Sequence, residues 1–136
     1  QHSLDMPWVC EPGACLLVPS GPEEFRHLFA VAVGPQQFDG YGAKPHVIMV
    51  SVTSVKPEFP FDSACVIRAG EHPFIKHDSY VYYRDPRVEP VAHVQNMVDS
   101  AVWISQEPCS AELLQRIRAG LLASTRVPRH IKKLLA

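Results

Sequence analysis

The chain has 136 residues, the size of one domain, and its composition excludes several classes of protein. Apolar residues make up 46% and charged residues 20%, which excludes an intrinsically disordered chain. The formal net charge of -1 excludes a general electrostatic attraction to nucleic acid or to an acidic membrane, so any anion-binding surface must be local. Thirteen prolines favour short strands and turns over long helices.

The four cysteines form no C-x-x-C pair and match no common zinc module. No signal peptide is recognised, and no apolar run approaches the roughly 20 residues that span a bilayer. We therefore expect a cytoplasmic protein with reduced thiols, no membrane association and no cofactor. Residues 1–5 precede Met6-Pro7, which resembles a natural start, and they are left out of the functional interpretation.

In the first two thirds of the sequence, short apolar runs separated by turn-forming residues predict short strands. A turn signal over residues 19–22 follows the first strand, and Gly34-Pro35 is expected to stop the second. In the last of these strands, Tyr80 and Tyr82 share one face. The predicted strands are residues 15–18, 28–33, 46–55, 64–67 and 79–83.

Beyond Pro86 the hydrophobic spacing becomes that of helices. Residues 91–98 carry apolar side chains at helical spacing, and a short strand at residues 101–104 is expected next. Ser110 is a good N-cap for a helix over residues 111–124, and residues 128–136 predict a short basic amphipathic helix. One apolar stripe is expected to hold the longer helix against the sheet: Leu113, Leu114, Ile117, Leu121 and Leu122.

Turn signals every 8–15 residues favour a small barrel or sandwich over βαβ units. The predicted fold class is mainly β (α+β), a small β-barrel with a C-terminal helix. We divide the chain into an N-terminal segment (1–13), a β-barrel domain with its closing helix (14–125) and a basic helical tail (126–136).

This order of segments resembles the PemK/MazF-like toxins, which are small SH3-like barrels with a C-terminal helix. The resemblance covers most of residues 14–122 and departs from the family at Gly13-Ala14-Cys15, where the family has Gly-Asp, and over residues 70–78, which have no counterpart. The segments that carry it are Ala14 to Pro19, Arg26-His27 before a hydrophobic strand, Ser51-Val52-Thr53-Ser54, Pro60-Phe61, and the S-x-E-L-L-x-x-I-x-x-x-L helix from Ser110 to Leu121.

The resemblance implies a metal-independent endoribonuclease of a toxin–antitoxin system, a homodimer that acts on RNA and binds an antitoxin protein. It further implies that Arg26 and a strand hydroxyl, Thr53 or Ser51, act on the scissile phosphate. Arginine can bind a phosphate through two hydrogen bonds, and the hydroxyl can donate a third. In the alternative interpretation, Arg26 is a solvated charge near Glu23 and Glu24, and Thr53 is an ordinary strand residue.

The densest polar segment, residues 71–80, supplies a second catalytic hypothesis. Cleavage of RNA by its own 2′-hydroxyl needs a base, an acid and a cation. Because a histidine has a pKa of about 6.5, His72 and His77 suit the first two roles, and Lys76 suits the third. The alternative is a structural turn in which the histidines bond to the backbone. A metal site of His72, His77 and Asp78 is not predicted, since a third clear ligand is missing.

Tyr80, Tyr82 and Tyr83 are the candidates for stacking on RNA bases, because aromatic faces stack on any base. Ser51 of the hydroxyl strand is a further candidate for contact with nucleic acid. Tyrosines in strands also pack half-buried with the hydroxyl in water. Arg129 and Lys132 in the basic tail are candidates for contact with phosphate or with an acidic antitoxin segment, or they are simply solvated. Three hypotheses follow: an RNA-cleaving toxin, a non-catalytic barrel module that binds a protein partner or nucleic acid, or a subunit of a phage or mobile-element system with no small substrate.

Overall fold

The computed structural model describes residues 7–19 and 26–136. Within these ranges the chain forms six β-strands and three α-helices. Three features of the sequence fall outside the described residues. They are the start at Met6, the acidic residues 23 and 24, and the predicted turn at residues 19–22 except for Pro19. The elements are β1 (Cys15–Pro19), β2 (Arg26–Gln36), β3 (His46–Ser54), β4 (Val66–Ile67), β5 (Ser79–Pro90), α1 (Val91–Asp99), β6 (Ile104–Gln106), α2 (Ala111–Ala123) and α3 (Arg129–Leu135).

The strands form one sheet in the order β4-β5-β3-β2-β1-β6, and all neighbouring pairs are antiparallel. The sheet is curled into a half-barrel. The predicted class, mainly β with helices late in the chain, is confirmed at this level.

The two faces of the sheet carry separate cores, because successive side chains of a strand point to opposite faces. The first core includes Ala30, Val50 and Val81, and α2 and α3 pack on it through residues such as Ile117 and Ile131. Members of the second core lie on the other face, where α1 and the N-terminal segment cover them. They are Cys10, Ala14, Leu16, Val18, Phe29, Val31, Val47, Met49, Val94 and Trp103.

Helix α2 begins as the sequence predicts, since the Ser110 hydroxyl accepts a hydrogen bond from the Leu113 amide at 3.1 Å. The apolar stripe is wrong at one position, because Leu122 is 63% exposed. The helical turn carries Leu122 to the outer side, and Gly120 takes a buried place beside Leu121 instead.

Gly120 is required by the close approach of β5. The Tyr83 side chain is fully buried, and its hydroxyl donates to the Ile117 carbonyl oxygen at 2.7 Å. A Cβ atom at position 120 would overlap the Tyr83 ring and hydroxyl. A glycine within a helix costs about 1 kcal/mol relative to alanine, and here it lets Tyr83 fill the space between helix and sheet.

The other two helices are short. Helix α1 starts directly after Pro90, which ends β5, and buries Val94 in the second core. Helix α3 buries Ile131 in the first core. In the part of the chain that the structure describes, no helix is long and apolar enough to cross a bilayer.

Two strands run further than their sequences suggest. Strand β2 continues through Gly34-Pro35 with shifts in its register to β3, and Gly34 has a φ of 94° where a side chain would collide with the His46 carbonyl. Strand β5 continues through Pro86 because its pairing with β3 is interrupted between Tyr82 and Arg87. A proline is tolerated at such an irregularity, where its missing amide leaves no ladder bond unmade.

The cysteines are free thiols in the structure. Burial raises the pKa of the Cys10 thiol to about 11. Cys15 and Cys109 are hydrogen-bonded to each other, which raises the pKa of the Cys15 thiol and lowers the pKa of the Cys109 thiol. The Gly13 carbonyl oxygen accepts from the Cys109 amide at 2.9 Å and from the Cys15 thiol at 3.5 Å.

Candidate functional site

Helix α1 covers only part of the sheet face that carries the second core. The open part of this face holds a shallow cavity of about 340 Å³. It lies across three adjacent strands, β2, β3 and β5. We name it the sheet groove. Its lining residues are His27, Phe29, Ser51, Thr53, Tyr80, Tyr82, Asp85 and Arg87.

The strand register brings these side chains together. Ser51 is the cross-strand partner of Phe29 on one side and of Tyr82 on the other, and Thr53 is the partner of Tyr80. Directly opposed residues of antiparallel strands lie on the same face of a sheet. Phe29 and Ser51 are buried and form the floor, whereas Tyr82 is 36% exposed and forms a wall.

Arg87 is held in a fixed position at the groove. Its guanidinium lies 5.7 Å from the centre of the Phe29 ring and 5.3 Å from that of Trp103. The Arg87 Nε and Nη2 atoms donate to Glu89 Oε2 at 2.9 and 2.8 Å. A guanidinium fixed in this way spends little conformational entropy when it binds a ligand, and its remaining donors suit an anionic or planar group.

Four of the residues predicted for RNA contact or catalysis meet in the sheet groove: Ser51, Thr53, Tyr80 and Tyr82. The other four lining residues were not among the predicted site residues: His27, Phe29, Asp85 and Arg87. Alternation along β2 was the available signal for His27 and Phe29, since both occupy the face opposite to Leu28. Nothing local pointed to Arg87, because the irregularity after Tyr82 decides its face.

Lys76 and His77 lie elsewhere, in a second cavity of about 260 Å³ that we name the lysine pocket. Its wall includes Leu28 and Val52, which belong to the first core, so the pocket opens on the opposite face from the sheet groove. The residues that line it are Leu28, Val52, Ser54, Phe74, Ile75, Lys76, His77 and Ser79.

The remaining predicted cations also lie away from the sheet groove. Arg26 is exposed at the start of β2, and strand alternation places it on the face of Leu28. Arg129 and Lys132 belong to α3, which packs on the first core. The structure therefore does not bring Arg26, Arg129 or Lys132 together with Thr53.

His72 is buried, with 2% of its surface exposed, and both ring nitrogens have partners. Its Nδ1 accepts from the Phe74 amide at 3.0 Å, so the proton resides on Nε2, which donates to the Glu107 carbonyl oxygen at 2.6 Å. These bonds join the loop of His72 to the segment before α2. This geometry favours the structural interpretation of His72 over the catalytic one.

The same loop is anchored by Glu71. Its carboxylate pairs with both terminal nitrogens of Arg116, at 2.5 and 3.2 Å, and accepts from the Arg68 amide at 2.7 Å. Arg116 also donates to the Val66 carbonyl oxygen at 2.7 Å, so it ties α2 to β4 and to this loop. The hydrogen bonds from Arg116 hold the pKa of Glu71 below its ordinary value of 4.5.

We expect Glu71→Gln to destabilise the protein by about 1 kcal/mol near pH 7, because a charge-assisted pair at a half-exposed position is lost. A carboxylate with a lowered pKa stabilises the fold above its unfolded-state pKa, here 4.5, and loses that contribution as the pH falls through the folded pKa. The difference between wild type and variant should therefore shrink in urea unfolding at about pH 3. Glu112→Gln is the control, since Glu112 lies 3.8 Å from the same arginine but is 82% exposed. An unchanged difference at acid pH would contradict the expectation.

Two further findings concern metal binding and similarity to known proteins. Among residues 7–19 and 26–136, no group of three or more histidine, cysteine or acidic side chains is arranged to hold a metal ion. No protein-family model, curated protein or solved structure matches the chain.

Proposed function

We propose that the protein binds single-stranded RNA in the sheet groove. One observation carries this proposal: the rings of Tyr80 and Tyr82 meet two strand hydroxyls and a fixed arginine on one open surface, above the buried Phe29. Aromatic faces stack on bases of any sequence, and hydroxyl and guanidinium groups contact phosphate and the ribose 2′-hydroxyl. The groove thus offers partners for each part of a nucleotide.

The spacing of the tyrosines favours a single strand over a duplex. Tyr80 and Tyr82 are two residues apart on one face of β5, which separates them by about 7 Å along the strand. Nucleotides of a duplex advance only about 3.4 Å per strand along the helix axis. Bases that stack on both tyrosines must therefore be drawn apart, as an extended single strand allows.

The charge of the protein sets the expected strength of binding. With a formal net charge of -1, no broad field attracts RNA, and Asp85 adds a negative charge within the groove itself. Affinity must come from stacking and from a few local contacts such as Arg87. We accordingly expect a shallow dependence of affinity on salt.

The resemblance of the segment order to the PemK/MazF-like toxins also favours RNA as the ligand. From it we infer an SH3-like barrel, a homodimer in the cytoplasm and an antitoxin protein as partner. The curled antiparallel sheet with a closing helix supports this inference at the level of architecture.

RNA cleavage is the second candidate function, and the presence of His27 and Thr53 in one groove supports it. Histidine can exchange a proton near neutral pH, and the hydroxyl can donate to a phosphate. However, Lys76 and His77 lie on the other face of the sheet, and His72 is buried. Since cleavage needs its acid, base and cation at one phosphate, the division of these residues favours binding over cleavage.

Fluorescence anisotropy tests the proposal directly. A labelled mixed-sequence RNA of about eight nucleotides is titrated with wild-type protein in EDTA, once single-stranded and once annealed to its complement. We expect saturable binding of the single strand and much weaker binding of the duplex. Equal binding of both, or no binding at high protein excess, would overturn the proposal and leave a protein partner as the better occupant.

The same samples, resolved on a denaturing gel, test the second candidate. Discrete fragments that disappear in His27→Ala would establish cleavage in the groove. Intact RNA at protein concentrations that saturate binding would rule out cleavage as a function of the groove.

A further inference from the structure

The sheet groove does not end at Thr53 and Tyr80. Both residues also line an adjoining cavity of about 240 Å³, which we name the loop cavity. Its other lining residues are Ser54, Lys56, Phe59 and Pro60. Ser54 in turn lines the lysine pocket, so three concave surfaces follow one another around the end of β3.

Each of these surfaces pairs an aromatic ring with a cation. The sheet groove has Tyr82 and Arg87, and the loop cavity has Phe59, which is 63% exposed, with Lys56. In the lysine pocket, Phe74 is 41% exposed and stands with Lys76. A ring and a cation match the base and the phosphate of one nucleotide.

The loops that carry Lys56 and Lys76 are joined to each other by their backbones. The Val55 amide donates to the Asp78 carbonyl oxygen at 2.9 Å, and the Phe59 amide donates to the Lys56 carbonyl oxygen at 3.0 Å. The rings of Phe61 and Tyr80 pack 5.0 Å apart, and Tyr80 lines both the sheet groove and the loop cavity. The three surfaces are therefore held in a constant order.

The charged side chains that line the loop cavity and the lysine pocket favour an anion. The carboxylate of Asp78, close to Lys76 in sequence, is engaged by the guanidinium of Arg68 at 3.3 Å and by the Ala69 amide at 3.0 Å. No acidic side chain lines the loop cavity or the lysine pocket among the described residues. Lys56 and Lys76 thus have no carboxylate partner within those two cavities.

We propose that a single-stranded RNA runs from the sheet groove through the loop cavity into the lysine pocket, crossing the end of β3. This inference rests on the proposed function and adds the path, the length and the phosphate contacts of the ligand. A ligand that fills all three surfaces has on the order of five nucleotides or more. Lys56 and Lys76 contact phosphates that a dinucleotide in the sheet groove does not reach.

The test compares oligouridylates of about two and about eight nucleotides in binding to wild type, Lys56→Gln and Lys76→Gln. Both variants should bind the longer RNA about 3-fold to 10-fold more weakly and bind the dinucleotide as wild type does. The slope of log affinity against log salt should fall by about 0.7 for each lysine removed. Lys133→Gln, an exposed lysine of α3, is the matched control and should leave both affinities unchanged.

The outcomes separate the two proposals. Binding of both RNAs with no effect of either lysine variant, or no gain of affinity with length, would overturn the path while leaving the sheet groove as the binding site. Failure of both RNAs to bind wild type would overturn the proposed function and the path together.

Discussion

Replacing both groove tyrosines, Tyr80→Ala with Tyr82→Ala, is expected to weaken single-stranded RNA binding by at least about 30-fold. Stacking of a base on an aromatic side chain contributes about 1–3 kcal/mol, and about 1.4 kcal/mol corresponds to a tenfold change in affinity. Tyr82 is 36% exposed and Tyr80 is half-buried, so the substitutions remove ligand contacts and little of either core. The measurement is anisotropy with a labelled RNA of about eight nucleotides.

Two controls define the origin of this effect. Tyr41→Ala removes a tyrosine of similar exposure, 37%, that packs near His46 outside the groove, and it should leave RNA binding unchanged. Tyr82→Phe keeps the ring and should keep the affinity, whereas Tyr82→Leu keeps apolar volume but loses the flat face. If the leucine variant binds as tightly as the phenylalanine variant, stacking is not the source of affinity.

The second large effect is expected for stability. His72→Ala should lower the free energy of unfolding by about 2–4 kcal/mol, because it opens a cavity and leaves buried backbone groups of Phe74 and Glu107 without their partner. Urea unfolding followed by circular dichroism measures the change. His77→Ala is the matched control in the same loop, since His77 is exposed, and it should change stability by less than about 0.5 kcal/mol.

A further variant distinguishes hydrogen bonding from packing at this position. His72→Phe fills much of the volume but cannot bond to the Phe74 amide or the Glu107 carbonyl, so it should also be destabilised, by about 2 kcal/mol. Wild-type stability in both variants, together with loss of RNA cleavage, would instead assign His72 a catalytic role.

The elements that follow from local pattern could be predicted. The predicted strand 46–55 corresponds to β3, and the helix predicted after Ser110 begins there, because β-branched runs and N-caps act over a few residues. The face shared by Tyr80 and Tyr82 is also correct, since alternation in a regular strand needs no tertiary information.

The rest of the site depends on contacts between distant parts of the chain. His72 bonds to Glu107, 35 residues away, so no local pattern distinguishes a buried structural histidine from a reactive one. Arg26 and His27 are adjacent, yet only His27 lines the sheet groove, because one step along a strand reverses the face. The sequence pattern identifies residues 26 and 27 as a candidate segment. Which of the two side chains faces the groove depends on the strand register, which the pattern does not give.

The separate cores on the two sheet faces bear on how this surface can change during evolution. In β3 and β5 the residues that point into the groove alternate with those, such as Val52 and Val81, that belong to the first core. Substitutions at Thr53 or Tyr82 are therefore expected to alter the proposed RNA binding with little effect on packing. A lineage carrying this fold can acquire a new ligand preference through single steps that each leave a folded protein.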